Sequence, residues 1–208
     1  MYTVVLLRHG QSIWNEQNIF TGWTDVKLSN QGIDEAIKAG NVLKEHEFSF
    51  DIDYTSSLKR SINTLEYIID ILNQKKIETY SSWQLNERHY GALQGMNKDD
   101  AIKYYGNNQV SLWKRDLNAT PPLIDGKGEN LLDTMKRVVE YWNRFIVPNI
   151  LNNKRIIIVA HGNSIRALVS YLNDLSNEQI TNLEIPTGNP LVFELDENLQ
   201  PIRNYYLK

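Results

Sequence analysis

Residues 155–162 read Arg155-Ile156-Ile157-Ile158-Val159-Ala160-His161-Gly162. Five successive apolar residues predict a strand buried on both faces, because a half-exposed strand would alternate with polar residues. Such strands belong to parallel sheets covered by helices. The amino terminus repeats the arrangement, with Val4-Val5-Leu6-Leu7 running into Arg8-His9-Gly10. In open α/β sheets ligands bind beyond the carboxyl ends of the strands. If the two strands are neighbours, His9 and His161 face one crevice.

Between these strands apolar runs alternate with helical periods, which predicts an α/β three-layer sandwich, a mostly parallel central sheet with helices on both faces. Ser29 caps a helix whose Ile33, Ala36, Ile37 and Leu43 share a face, and Phe50 to Tyr54 reads as a short strand. Leu58, Ile62, Leu65, Ile69 and Leu72 form the next helical stripe, with Lys59 and Arg60 standing off it. Leu132, Met135, Val139, Trp142 and Ile146 predict a helix that Pro148 ends. Ser164 to Leu172 reads as a helix, Ser176 with Gln179 as a capping box, and Leu191 to Leu195 with Ile202 to Leu207 as an edge hairpin. Residues 118–130, punctuated by Pro121, Pro122, Gly126 and Gly128, form an exposed loop without the composition of a linker, so 1–208 is expected to be a single domain.

Composition narrows the function. With 22 Lys and Arg against 25 Asp and Glu, the net charge of −3 offers no basic field. Neither a nucleic acid nor an anionic membrane is an expected partner. The absence of cysteine excludes disulfides, thiol catalysis and the commonest zinc sites, and fits a reducing compartment. No apolar run approaches the roughly 18–20 residues of a membrane span, and Met1 leads straight into a strand without an export signal. A cytoplasmic location is expected.

A single histidine after a strand reads equally well as a hydrogen-bonded packing residue, but two in matching contexts favour chemistry. A metal pair is the weaker alternative, since no His-x-x-x-His helix or third ligand accompanies them. A neutral imidazole carries a lone pair that can attack phosphorus. Arg8 beside it would bind phosphate oxygens in a fork, and Gly10 would let the backbone come close. His9 is therefore the expected nucleophile, with His161 and Arg60 opposing the charge of the transferring group.

The runs Leu7 to Asn15 (LRHGQSIWN), Phe20 to Trp23 (FTGW) and Tyr54 to Arg60 (YTSSLKR) resemble the histidine phosphatase superfamily. Leu85 to Gly95 (LNERHYGALQG), Ala160 to Ser164 (AHGNS) and Ile185 to Leu191 (IPTGNPL) are similar, more narrowly, to its cofactor-dependent phosphoglycerate mutases of glycolysis and gluconeogenesis. The resemblance spans nearly the whole chain, and the run through Gly95 is its most specific part. It implies that His9 is phosphorylated in turnover, that Glu87 donates and accepts the proton, and that His161 stabilises the transferring group. It places phosphate contacts on Arg8, Asn15, Arg60 and Asn163, with Ser12, Thr21, Gly22 and Gly162 nearby. Arg88, Tyr90, Lys98, Lys114 and Arg115 would hold the rest of the substrate.

It further implies interconversion of 3-phosphoglycerate and 2-phosphoglycerate, primed by 2,3-bisphosphoglycerate and needing no metal. Relatives of this kind are often homodimers, and no uninterrupted apolar patch marks such an interface here. The alternatives are a histidine phosphatase that passes the phosphoryl group to water, and a silent phospho-ligand sensor. Two departures stand out. Trp113-Lys114-Arg115 has lysine in place of the first of two usual arginines, and Thr120-Pro121-Pro122 reaches Glu129-Asn130-Leu131 without the longer segment that covers the site in such mutases. A less covered pocket is expected to admit more water.

Overall fold

The computed structural model describes residues 1–208. Its sheet has the order β3-β2-β4-β1-β5-β6, where β1 is Tyr2–Arg8, β2 Ile52–Ser56, β3 Glu78–Ser82, β4 Ile156–Ala160, β5 Leu191–Leu195 and β6 Pro201–Tyr206. The first four strands are mutually parallel, and β5 and β6 add an antiparallel edge. β1 and β4 are neighbours, with Arg8 opposite Ala160.

Side chains alternate across the sheet and divide the core accordingly. Val4, Leu6, Ile156, Ile158 and Ala160 pack on one face against α6 (Leu131–Tyr141) and α8 (Gly162–Leu172). Val5, Leu7, Ile157 and Val159 pack on the other against α2 (Asn30–Glu45) and α3 (Lys59–Ile71). Burial on both faces is what makes these strands continuous apolar runs. A smaller cluster of Phe20, Leu93, Ala101, Val110 and Trp113 seats α4 (Lys98–Tyr105) and α5 (Asn107–Arg115). Short helices α1 (Ile13–Glu16), α7 (Val147–Leu151) and α9 (Asn177–Asn182) complete the chain, and no helix is long and apolar enough to cross a membrane.

Local expectations are corrected on α2 and at Pro148. The buried face of α2 consists of Gly32, Ala36, Ala39, Gly40 and Leu43, with Ile37 exposed, because α2 lies so close to α3 that a Cβ on Gly40 would crowd Ile71 and Ile68. Pro148 does not end the α6 helix. A π-turn over Trp142–Ile146 absorbs the change of register, and Pro148 lies in the first turn of α7. Gly10 is required by packing, since a Cβ there would overlap the carbonyl oxygen of Gly32 in the first turn of α2.

Candidate active site

All four parallel strands aim their carboxyl ends at one place. β1 delivers Arg8 and His9, β2 leads through Ser56 to Arg60 in the first turn of α3, β3 leads to Glu87, and β4 delivers His161 and the N-terminus of α8. The His9 and His161 ring centroids are 4.8 Å apart, edge to face.

Hydrogen bonding fixes the tautomer of His9. Nδ1 lies 2.6 Å from the Gly10 carbonyl, which can only accept, so Nδ1 carries the proton. Nε2 is left with its lone pair and accepts from Arg60 Nε at 3.3 Å. Burial, then the positive charges of Arg60 and Arg8, hold the His9 pKa well below its usual value. The ring is thus neutral at physiological pH. His161 is held low in the same way, by burial and then by Arg60. Its Nε2 pairs with Ser56 Oγ at 2.7 Å, and that oxygen already accepts the Leu58 amide at 3.1 Å. A hydroxyl that donates to Nε2 leaves the His161 ring proton on Nδ1.

That Nδ1 is buried with no partner, as is Nε of Arg8. Two unpartnered buried nitrogens, that of Arg8 a certain donor, beside a free imidazole lone pair fit an anion with several acceptor oxygens. The Arg60 guanidinium is lowered by burial to about 10, which leaves it charged, and it ties down the Thr24 and Gly22 carbonyls at 3.0 and 2.7 Å. Although Arg60 stands off the apolar stripe of its helix, it is fully buried, facing the site in place of the sheet. Gly22 (φ +52°) sits against Gln94, where any Cβ would overlap the side-chain amide.

Glu87 presents its two oxygens differently. Oε1 accepts from the amides of Arg88 (2.8 Å) and Asn163 (3.1 Å) and from Asn163 Nδ2 (2.9 Å). Oε2 accepts none and lies near Gly162 and the Arg8 guanidinium, since a Cβ on Gly162 would touch that guanidinium at 3.5 Å and Oε2 at 3.6 Å.

A cavity of about 100 Å³ opens here, lined by Arg8, His9, Asn15, Thr21, Gly22, Arg60, Glu87, Tyr90, Lys98 and Lys114, together with Ile19 and Phe20. Burial, then the charges of Lys114 and Arg8, lower the Lys98 pKa, the mark of crowded cations. Asn163 lies just behind the wall, donating to the Tyr90 hydroxyl at 3.2 Å.

Six expected site residues do not line the cavity: His161, Gly162 and Asn163 at the end of β4, and Ser12, Arg88 and Arg115. Ser12 caps α1, its Oγ accepting from the Asn15 amide. Arg88 is fully buried behind the wall, bonded to the carbonyls of Glu129 and Trp113. Arg115 points outward to Glu184 and the Thr181 carbonyl. Sequence reasoning passes over Ser56, Trp23 and the buried pair Arg137–Glu129 behind Glu87. Arg137 carries a signal, a charged residue in register with the buried Leu131, Thr134, Val138 and Tyr141 of α6.

The fold and this paired-imidazole site define a class, and the profile of the histidine phosphatase superfamily (branch 1) matches residues 4–207. The chain belongs to that superfamily. It is 51% identical over 224 aligned positions to the 2,3-bisphosphoglycerate-dependent phosphoglycerate mutase of Blochmanniella floridana, covering 98% of this chain and 97% of that one. It is 48% identical to the protein of the same name from Buchnera aphidicola subsp. Schizaphis graminum, covering 98% of each. The first alignment is longer than the 208 residues here, so that relative carries residues this chain lacks. Among solved structures, the α-ribazole phosphatase of Shigella flexneri superposes with a TM-score of 0.82 at 20% identity, covering 99% of this chain and 96% of that one.

Proposed function

We propose that the protein interconverts 3-phosphoglycerate and 2-phosphoglycerate through a phosphohistidine at His9, as a single domain over residues 1–208. The observation that carries this is the neutral His9, its Nε2 lone pair beside Arg60, in a site that also holds the unpartnered Arg8 Nε and His161 Nδ1, in a chain about half identical to two named mutases. 2,3-Bisphosphoglycerate supplies, when bound, the phosphoryl group that His9 carries. Arg8, Arg60 and Asn15 would hold that group, with Tyr90, Lys98 and Lys114 on the remainder of the molecule.

His9 passes the phosphoryl group to a phosphoglycerate hydroxyl: the bond from Nε2 to phosphorus breaks as the bond from oxygen to phosphorus forms. Oε2 of Glu87 takes the hydroxyl proton, and returns it to the leaving oxygen in the reverse direction. Arg8, Arg60 and the Nδ1 proton of His161 oppose the charge on the equatorial oxygens.

Incubation with labelled 2,3-bisphosphoglycerate is expected to leave acid-labile label on the parent protein and none on His9→Ala, while a coupled assay shows mutase turnover only in the parent. Turnover retained in His9→Ala would overturn the assignment. Label with hydrolysis but no mutase turnover would identify a phosphatase.

A further inference from the structure

Glu87 lies in a stretch that no regular ladder holds. Residues 86–89 follow the 3₁₀ turn Trp83–Leu85, and the carbonyls there must find donors elsewhere. Arg137 supplies those at Asn86 and Glu87, Ser164 Oγ also donates to Leu85 and Asn86 at 2.9 and 2.7 Å, and the Glu129 amide serves His89. Arg137 is buried, and its five N–H donors match five contacts. Nη1 donates to the carbonyls of Gln84 (2.8 Å) and Asn86 (2.9 Å), Nη2 to the Glu87 carbonyl (2.9 Å) and Glu129 Oε2 (2.8 Å), and Nε to Glu129 Oε1 (2.7 Å).

Glu129 then reaches past Glu87, its Oε2 accepting the His89 amide at 2.8 Å. Trp23 closes the other side, with its indole N–H on the Glu87 carbonyl at 2.5 Å and its ring centre 5.7 Å from the Arg137 guanidinium carbon. Burial raises the Glu129 pKa, but the hydrogen bonds and charge of Arg137 bring it below the usual carboxylate range, so the pair stays ionised. A buried ion pair generally adds little net stability over well-packed apolar residues. What it supplies here is geometry.

We propose that Arg137, oriented by Glu129, is a positioning residue that fixes the main chain at 84–87 and so sets Oε2 of Glu87 at the transferring oxygen. The inference rests on Glu87 being the proton donor and acceptor. Lysine cannot substitute, because three donors on one point charge do not span three carbonyls and a carboxylate.

The test is a double-mutant cycle in the full-length protein, with circular dichroism and thermal melting reporting the fold of each variant. Arg137→Lys is expected to lower mutase kcat on the order of 10²-fold with KM changed less than about threefold. In a Glu87→Gln background the same change is expected to lower kcat less than about twofold, because the group it positions has gone. Should the lysine variant fail to fold, Glu129→Gln takes its place, with the same pattern at smaller amplitude. An unchanged kcat, an effect confined to KM, or losses that multiply with those of Glu87→Gln would overturn the positioning role. Full activity in Glu87→Gln alone would instead overturn the role of Glu87 itself.

Discussion

At His9 and His161 burial favours the neutral form that the proposed chemistry uses, whereas at Asp53 it opposes the ordinary charge state. Because the pKa of His9 lies well below its usual value, ¹⁵N spectra at pH 6 are expected to show a neutral ring protonated on Nδ1. A doubly protonated ring at that pH would contradict this tautomer. Asp53 lies on β2 opposite Ile157, on the face that packs against α2 and α3. Oδ2 accepts the Thr79 hydroxyl at 3.1 Å and Oδ1 has no partner. Burial pushes its pKa up to about 7, against the smaller downward effect of Thr79. Between its ordinary value of 3.8 and about 7 the folded chain keeps a proton that the unfolded chain has lost. Its contribution to stability is therefore fullest below the lower value and falls as pH rises to about 7. Asp53→Asn removes this dependence, and the histidines, common to both proteins, cancel in the comparison. Denaturant titrations are expected to show the variant gaining roughly 2–3 kcal/mol on its parent between pH 5 and pH 8. A gap that does not change with pH would refute the protonation of Asp53.

The loop after β1, which carries His9, is seated on a helix terminus, which ties α2 to the candidate site. Gly10 abuts the carbonyl of Gly32, and a Cβ on Gly32 would in turn overlap the Gln11 carbonyl oxygen. Gly32→Ala is expected to destabilise the fold by roughly 1–3 kcal/mol, as overpacking does, and to lower His9 phosphorylation by displacing its loop. Normal melting and normal labelling together would show that the loop gives way freely. The elements differ in how far they can be read from sequence, and the reason is burial. β1 and β4 are legible because both faces are covered, and with them come Arg8, His9 and His161. β3, Glu-Thr-Tyr-Ser-Ser at the sheet edge, is mostly exposed and carries no apolar period, so it leaves no trace. The apolar stripe on α6 reads one position out because Thr134 and Arg137 occupy core-facing positions by satisfying their polar groups. Glu87 has no local signal, since its partners come from α8, α6 and the loop before α2; only motif resemblance points to it.

Across the whole molecule the rim of the sheet separates into parts that touch the cavity and parts that do not. The loop over 118–130 packs beneath it, with the Ala92 amide on the Pro122 carbonyl at 2.7 Å and the Glu129 amide on the His89 carbonyl, and none of its residues lines the cavity. Grafting the longer segment of a mutase relative between Pro122 and Glu129 is expected to lower the ratio of bisphosphatase to mutase rate by excluding water. An unaltered ratio would show that this loop does not control water access. Below the rim, the 4.8 Å between the imidazoles matches the spacing of hydrogen-bonded strands, and the His9 amide still bonds the Ala160 carbonyl at 3.0 Å. The peptide ladder thus serves as a gauge block for the histidine pair. The ladder holds the two histidine backbones at strand spacing, so a descendant chain that acquired a bulkier substrate would more readily rebuild the parts clipped to the rim than part β1 from β4.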